Sequence, residues 1–208
     1  MRIGLVLPMA SGDARRVVAF ALRAEELGFD GLFAFDHLFP PGAPADRPVL
    51  EAFSTLAAVA AATSRVRIGT LVTRGSLRPA GLLAKLAATI DDVSDGRFVL
   101  GIGTGDALSR PEHVAFGLPS LDAEARREHL LETVRAVRAL FRGEHFAGGQ
   151  HVPAVEGPLL PPTRSDGGPP VWIGGVSEGA VRVAAREADG WNGWSLDVTS
   201  FAARAALL

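Results

Sequence analysis

Apolar residues along the chain alternate between short continuous runs and longer stretches with the spacing of one helix face. The first run covers residues 3–7, and a stretch with helical spacing follows at 14–27. Asp13 and Gly28 flank this stretch, and both residue types are favoured at helix ends. The pattern therefore predicts a strand followed directly by a helix.

The same alternation continues to the end of the chain. Continuous apolar runs bounded by turn residues predict further strands at 31–35, 66–73, 97–103, 171–175 and 190–194. Helical spacing predicts further helices at 51–63, from Pro79 onwards, at 123–141, at 178–187 and from Thr199 onwards. Repeated strand–helix units of this kind form a parallel sheet with right-handed crossovers.

Periodicity leaves the architecture open between a doubly wound sheet and a barrel. Six strand–helix units are predicted in the 208 residues, whereas a closed (β/α)8 barrel has eight and spans roughly 250 residues. Between 143 and 170, glycine and proline are scattered among polar residues without any period. This segment is expected to be an irregular surface excursion, with a short hairpin around 147–150.

Composition narrows the classes of function. The formal net charge is -2 with both signs interspersed, so we expect neither nucleic acid nor an anionic membrane as a partner. The chain has no cysteine, which excludes disulfides, thiolate metal ligands and cysteine nucleophiles. No apolar stretch is long enough to span a bilayer and no signal peptide opens the chain, so a soluble cytoplasmic protein is expected.

A glycine-dense loop at 103–110, Gly-Thr-Gly-Asp-Ala-Leu-Ser-Arg, follows the buried strand predicted at 97–103. In parallel α/β folds ligands bind at this end of the sheet, and glycine lets a ligand approach the backbone closely. The loop is therefore either a cofactor-binding loop or a strand-exit turn that holds glycine for its backbone angles. It is not a dinucleotide fingerprint, because Asp106 stands where the last glycine of G-x-G-x-x-G belongs.

Several segments together resemble the bacterial luciferase-like monooxygenase superfamily. They occur in that family's order and spacing and lie at 28–37, 61–72, 95–103, 170–175 and 188–191. The resemblance implies an α/β fold of the (β/α)8 TIM-barrel type that binds FMN or the deazaflavin coenzyme F420 at the C-terminal ends of its strands. Residues 1–208 would form one barrel domain, with the irregular insertion at about 143–170 and without the last two βα units.

The resemblance also implies which residues contact the coenzyme ring. Asp36-His37 and the glycine loop look closest to the deazaflavin-dependent branch, which includes the glucose-6-phosphate dehydrogenases of actinobacteria. The Leu71–Val72 bond occupies the position where this family often has a non-proline cis peptide behind the ring. The residues that would face or touch the ring from the other strands are Asp36, His37, Thr104, Gly105, Asp106 and Ser109.

The coenzyme phosphate has its own expected site. Residues 174–177 precede the helix predicted at 178–187, and exposed N–H groups at a helix N-terminus bind phosphate well. The resemblance puts the phosphate at Gly174, Gly175, Val176 and Ser177. Ser177 is equally suited to cap this helix, and a cap and an anion site use the same geometry.

Two residues are candidates for proton transfer. His37 follows an apolar strand at the end where ligands bind, and its imidazole exchanges protons near neutral pH. Its alternative role is a hydrogen bond with neighbouring backbone. Asp106 can act as a general acid or base, or bond to the ring, if burial raises its pKa. Its alternative role is the N-cap of the segment after the loop.

Two positions depart from the sugar-phosphate enzymes of this branch. Those enzymes carry Glu where this chain has Asp106, and a Trp shortly after the Asp-His pair where this chain has Phe39-Pro40-Pro41. Glucose 6-phosphate is therefore not the substrate that the sequence favours.

The tryptophans and the other histidines are expected to have structural roles or to line a pocket. We expect Trp172 to pack in the core and Trp191 or Trp194 to form a pocket wall. No metal site is expected, because the other histidines lack ligand spacing with carboxylates; they are His113, His129, His145 and His151.

The sequence thus predicts an oxidoreductase that moves a hydride between coenzyme F420, or FMN, and a small organic substrate. Two alternatives remain: a flavin-binding protein of the same lineage without catalysis, and an incomplete fragment without a stable cofactor site. An open barrel presents unpaired strand edges, which favour association. We therefore expect either a homo-oligomer or the N-terminal part of a longer natural protein.

Overall fold

The computed structural model describes residues 2–40 and 46–208. Its strands are β1 (Gly4–Val6), β2 (Gly31–Ala34), β3 (Arg67–Thr70), β4 (Thr73–Arg74), β5 (Phe98–Gly103), β6 (Val171–Gly174) and β7 (Gly190–Asn192). Its α-helices are α1 (Ala14–Glu26), α2 (Ala52–Ala62), α3 (Ala80–Val93), α4 (Arg110–Ala115), α5 (Ala123–Phe141), α6 (Glu178–Glu187) and α7 (Val198–Ala205). The alternation predicted from periodicity is confirmed, and α4 is an addition too short to show a helical period.

The strands form one parallel sheet in the order β1-β2-β3-β5-β6-β7, and β4 pairs with β5. The strand predicted at 66–73 is interrupted at Leu71–Val72, whose peptide bond is cis. As a result, β3 lies beside the first half of β5 and β4 beside its last two residues. Strand β5 is buried along its whole length.

The helices decide between the two architectures that periodicity left open. Successive helices pack against one another in one continuous layer: α1 on α2, α2 on α3, α3 on α5, α5 on α6, and α6 on α7. A doubly wound sheet reverses its strand order and carries helices on both faces. The order here never reverses, so the arrangement is that of a barrel. Among the described residues β1 and β7 do not pair, and the barrel is open.

The sheet is curved, with aromatic rings on its inner face. Phe33 on β2 and Trp172 on β6 stack with ring centroids 5.7 Å apart. In a flat sheet two intervening strands would hold β2 and β6 about 14 Å apart, so the stacking requires the sheet to curl. The intervening strands present Gly69 beside Phe33 and Gly101 beside Trp172, which leaves room for the two rings.

The opposite face of the sheet forms the main core with the helices. Its side chains alternate with those of the inner face, as expected for strands. All are buried, and they are Leu32, Ile68, Phe98, Leu100, Ile102 and Ile173. In the described ranges, no helix has both the length and the apolar character needed to cross a membrane.

The excursion predicted at 143–170 contains an antiparallel bridge between Phe146 and Val155, which closes the hairpin expected there. The carboxylate of Glu132 on α5 accepts the backbone N–H groups of residues 150–152 at 2.7–2.8 Å. A single side chain therefore fastens the hairpin to the helix layer.

Replacing Gly101 by alanine is expected to destabilise the fold by about 1–3 kcal/mol. A Cβ at this position would lie 2.2 Å from the carbonyl oxygen of Thr70, so the backbone would have to move. Denaturant unfolding followed by tryptophan fluorescence measures the change. The matched control is Gly157→Ala, whose new Cβ meets nothing within 4 Å and should change stability by less than about 0.5 kcal/mol. Equal losses in the two variants would contradict the close approach at Gly101.

Candidate functional site

The parallel strands bring the predicted site residues to one edge of the sheet. Asp36 and His37 follow β2, and the glycine loop follows β5. Residues 175–177 follow β6 at the same edge. Because the C-terminal ends of parallel strands share one edge, segments far apart in the chain become neighbours there.

His37 makes its strongest contact with a residue that the sequence did not single out. Its Nδ1 lies 2.7 Å from Oε1 of Glu112 on α4. The other carboxylate oxygen of Glu112 accepts the backbone N–H of Leu38 at 2.7 Å and Nη2 of Arg74 at 2.8 Å. The Glu112 side chain is buried, whereas that of His37 is 25% exposed. The histidine therefore has one nitrogen anchored in the protein and part of its ring open to solvent.

Glu112 is held in its ionised form. Burial alone would raise the pKa of its carboxyl group. The hydrogen bonds from the Leu38 N–H and from His37, together with the charges of Arg74 and His37, outweigh burial and lower the pKa. A charged carboxylate accepts hydrogen bonds only, so every group that touches Glu112 must donate.

Arg74 connects this carboxylate to the glycine loop. Its side chain is buried beside Gly105, where a Cβ would lie 2.9 Å from Cδ of Arg74. Gly105 also has a φ of 69°, which favours glycine over residues with a Cβ. Among the described residues Nε and Nη1 of Arg74 have no hydrogen-bond partner. The loop thus needs glycine at position 105 for two reasons: the positive φ, and the space that the Arg74 side chain occupies beside it.

Asp36 lies in a second ionic group directed into the protein. Its Oδ2 accepts bonds from Thr73 Oγ1 at 2.6 Å and Arg78 Nη1 at 2.5 Å. Arg78 also bonds Glu51 at 2.6 Å and lies over the Phe53 ring, 4.5 Å from its centroid. Burial would lower the pKa of Arg78, but the bonds and charges of Asp36 and Glu51 outweigh burial and raise it.

Val72 covers the ends of the two central strands. A Cβ added to Gly103 or to Gly174 would lie 2.8 Å from a methyl group of Val72. The valine therefore rests directly on the backbone of β5 and β6, and the two glycines are what allow it to do so. The preceding residue, Leu71, donates its N–H to the Ala34 carbonyl at 2.8 Å, which ties this segment to β2.

Asp106 occupies the capping position that was its alternative role. It is exposed, and its Oδ1 accepts bonds from the N–H and Oγ of Ser109 at 3.0 and 3.1 Å. These bonds cap the 3₁₀ turn Ala107–Ser109. Thr104 bonds the Gly105 carbonyl at 2.9 Å. Among the described residues Oδ2 of Asp106 has no hydrogen-bond partner, so this geometry is compatible with a contact to a ligand.

The segment 174–177 has the geometry of a capped helix N-terminus. Ser177 is the N-cap of α6, and its hydroxyl accepts the N–H of Ala180 at 3.2 Å. Gly175 has a φ of 153°, and its carbonyl accepts Nε1 of Trp191 at 2.7 Å. Trp191 therefore supports the loop that was predicted to hold a phosphate.

The other tryptophans and histidines have separate surroundings. Trp172 packs on the inner face as described, Trp191 stacks on Phe201 with centroids 5.2 Å apart, and Trp194 is exposed. In the part of the chain that the structure describes, no group of three histidine, aspartate or glutamate side chains is arranged to hold a metal ion.

A cavity of about 410 Å³ lies beside the glycine loop, on the side of α4 and α5. Its lining includes Thr104, Asp106 and Ser109 of the glycine loop, together with Asp122 and Arg126. The residues that line it do not include His37, Val72 or 174–177. The glycine loop therefore contributes to this cavity and also follows β5 at the edge where the other predicted site residues lie.

Sequence reasoning missed the charged residues that organise the site: Arg74, Arg78, Glu51 and Glu112. Arg74 directly follows the strand predicted at 66–73, and Arg78 comes four residues after Arg74, close to the edge where ligands bind. That position was the available signal. For Glu112 there was no comparable signal, because only the folded chain brings α4 against residues 37 and 38.

The chain was compared with known families and proteins. The model of the luciferase-like monooxygenase family matches residues 1–208. An F420-dependent glucose-6-phosphate dehydrogenase of Beutenbergia cavernae is 31% identical over 198 residues, which cover 92% of this chain and 56% of that protein. An F420-dependent hydroxymycolic acid dehydrogenase of Mycobacterium tuberculosis is 29% identical over 205 residues, which cover 94% of this chain and 53% of that protein. The chain thus spans about half the length of these relatives.

Solved structures share the fold. An F420-dependent secondary alcohol dehydrogenase superposes with a TM-score of 0.82 at 21% identity, covering 99% of this chain and 64% of that one. The coenzyme F420-dependent tetrahydromethanopterin reductase of Methanopyrus kandleri superposes with a TM-score of 0.79 at 19% identity. The match covers 100% of this chain and 59% of that one. The parallel sheet described above corresponds to an incomplete barrel of this type.

Replacing Glu112 by glutamine is expected to destabilise the protein by roughly 2–4 kcal/mol near neutral pH, because Arg74 would lose its buried counterion. The pKa of Glu112 is lower in the folded than in the unfolded protein. Its contribution to the free energy of unfolding is therefore complete above the unfolded pKa of about 4.3 and is lost as the pH falls through the folded-state pKa. The difference between the two proteins should therefore be largest at neutral pH and shrink below about pH 4.

Urea unfolding at several pH values measures this difference. Glu144→Gln is the control, since Glu144 forms an exposed pair with Arg142 and its loss should change little. A destabilisation by Glu112→Gln that grows on acidification would contradict the assignment.

Proposed function

Because the chain belongs to the luciferase-like monooxygenase family, we propose that it is an oxidoreductase that transfers a hydride between a deazaflavin coenzyme and a small organic substrate. The observation that carries this proposal is the pairing of a partly exposed His37 with the buried, ionised Glu112 at the C-terminal edge of the sheet. A histidine anchored at one nitrogen is suited to exchange a proton with a substrate hydroxyl or carbonyl.

The strand ends offer a surface that fits a planar ring. Gly103 and Gly174 carry no side chain, and Val72 lies flush against both of them. The ring would rest on Val72 and Leu71 and be bordered by Thr104, Gly105, Asp106 and Ser109. The predicted ring contact of Asp36 is replaced by a supporting role, because its carboxylate is buried against Arg78 and Thr73. The N–H groups at the start of α6, next to Gly175 and Val176, would receive the phosphate. When bound, the coenzyme supplies the hydride acceptor or donor.

Coenzyme F420 is the proposed coenzyme, and FMN is the second candidate. Both relatives named above carry F420 dependence in their names, and so do both solved structures. FMN is favoured by another structural neighbour, a Baeyer-Villiger monooxygenase component in complex with FMN, which covers 91% of this chain with a TM-score of 0.73.

In the proposed oxidation, His37 would accept the hydroxyl proton of an alcohol substrate, and the carbon that bears the hydroxyl would give its hydride to the coenzyme and become a carbonyl carbon; reduction would reverse both transfers. Asp106 would hydrogen-bond the ring or the substrate through its free oxygen. Glucose 6-phosphate is not the proposed substrate, given Asp106 and the segment Phe39-Pro40-Pro41, of which Pro41 lies outside the described residues.

We also propose that the chain associates with a second copy in the cytoplasm. Support for association comes from the unpaired edges of β1 and β7 and from apolar side chains exposed on α1, Phe20 and Leu22. A chain without cysteine needs no oxidising compartment to fold, which supports the location. The net charge of -2 gives no reason to expect nucleic acid as a partner.

Coenzyme F420 is expected to bind more tightly than FMN. Titration of the purified chain with each compound, followed by quenching of tryptophan fluorescence, measures both dissociation constants. Val72→Trp serves as the test variant, because its larger side chain would occupy the ring surface and should weaken binding at least about tenfold. Tighter binding of FMN, or a yellow protein obtained directly from expression, would reverse the proposed order.

His37→Ala is expected to lower turnover by about 10²-fold or more and to leave coenzyme affinity nearly unchanged, because proton transfer acts in the transition state. Asp106→Asn should impair both quantities. Stopped-flow absorbance of the coenzyme with a panel of small alcohols separates the two effects. Weaker coenzyme binding by His37→Ala, with unchanged turnover of the bound form, would make His37 a binding residue only.

A further inference from the structure

Glu112 is bonded asymmetrically, and this asymmetry determines what it does to His37. Its Oε2 receives two donors that cannot act as acceptors, the Leu38 N–H and Nη2 of Arg74. Its Oε1 faces Nδ1 of His37 at 2.7 Å. An ionised carboxylate has no proton to give, so the hydrogen of this contact must come from Nδ1.

We propose that Glu112 is a positioning residue that keeps the proton of neutral His37 on Nδ1 and thereby leaves Nε2 as the nitrogen that exchanges a proton with substrate. A neutral imidazole has one donor and one acceptor nitrogen, and the bond made by one nitrogen selects the role of the other. Among the described residues no hydrogen bond reaches Nε2. The role of Nε2 towards substrate rests on the proposed function. The position of the proton on Nδ1 does not depend on it.

The charged and aromatic residues around His37 support the assignment of the proton to Nδ1. Arg74 on β4 supplies the positive charge that compensates Glu112 on α4. Asp36, the adjacent residue, is neutralised by Arg78. The Phe35 ring packs edge-on against the imidazole, with centroids 5.8 Å apart. Glu112 is therefore the charged group in direct contact with the ring, which is held by this bond at Nδ1 and by packing against Phe35.

The position of the proton can be read in the coenzyme-free chain. Long-range ¹H–¹⁵N NMR spectra of the imidazoles, recorded at increasing pH until the signals no longer change, distinguish the two neutral tautomers. The His37 signals are assigned by their loss in His37→Gln. We expect the Nδ1–H form for His37. His151 serves as an internal reference for the other tautomer, Nε2–H, because its Nε2 lies 2.8 Å from a carboxylate oxygen of Glu128 and should carry the proton.

Glu112→Gln sharpens the test. The two donors at Oε2 should hold the amide oxygen of the new side chain, which turns its NH₂ group towards Nδ1 of His37. Nδ1 then has to accept, so the proton should move to Nε2, while His151 stays unchanged. With coenzyme F420 and substrate, this variant should lose turnover by about 10²-fold and keep its coenzyme dissociation constant within about twofold.

An Nε2–H tautomer of His37 in the unmodified chain would overturn the inference, and this measurement requires no variant to fold. An unchanged Nδ1–H tautomer in Glu112→Gln would overturn it as well. Failure of the coenzyme titration described above would instead overturn the proposed function, because the tautomer is measured without coenzyme. The two failures are therefore distinguishable.

Discussion

The parallel pairing of the central strand β5 with its neighbours is the constraint on which the rest of the structure depends. This strand pairs with β3 and β4 on one side and with β6 on the other. Its glycines permit backbone contact that no side chain would allow, most clearly at Gly101. Because the strands are parallel, their C-terminal ends form one edge, and every candidate residue for chemistry lies on the segments that leave this edge.

The charges at this edge are arranged in compensated groups rather than as isolated ions. A buried charge is costly unless it is paired and fully hydrogen-bonded. Glu112 is compensated by Arg74, and Asp36 is compensated by Arg78, which also reaches Glu51. The pairing compensates the charges that the segment after β2, strand β4 and helix α4 bring together, while Nε and Nη1 of Arg74 have no hydrogen-bond partner among the described residues. Among the described residues, His37 is the member of the cluster whose side chain is partly exposed and whose Nε2 has no hydrogen-bond partner.

The predicted site residues divide into two groups once the fold is known. Val72, Gly105 and Ser177 lie where strand ends and a helix start create a surface or a cap; the residue types indicated this for Gly105 and Ser177, and the family resemblance implied it for Val72. Asp36 has its carboxylate directed into the protein, and Asp106 caps a turn. A motif can therefore place a residue at the right edge of the sheet without revealing whether its side chain faces a ligand or the protein.

The sequence by itself determined the order of strands and helices, the caps, the irregular segment at 143–170 and the family resemblance, because these depend on local periodicity and on motifs read along the chain. Periodicity could not decide between a barrel and a doubly wound sheet; the resemblance implied the barrel, and the tertiary structure confirmed it through the helices that share one face. Only the tertiary structure brought Glu112 to His37, across a separation of 75 residues. Contacts of this range depend on the packing of complete elements, and no local pattern encodes them.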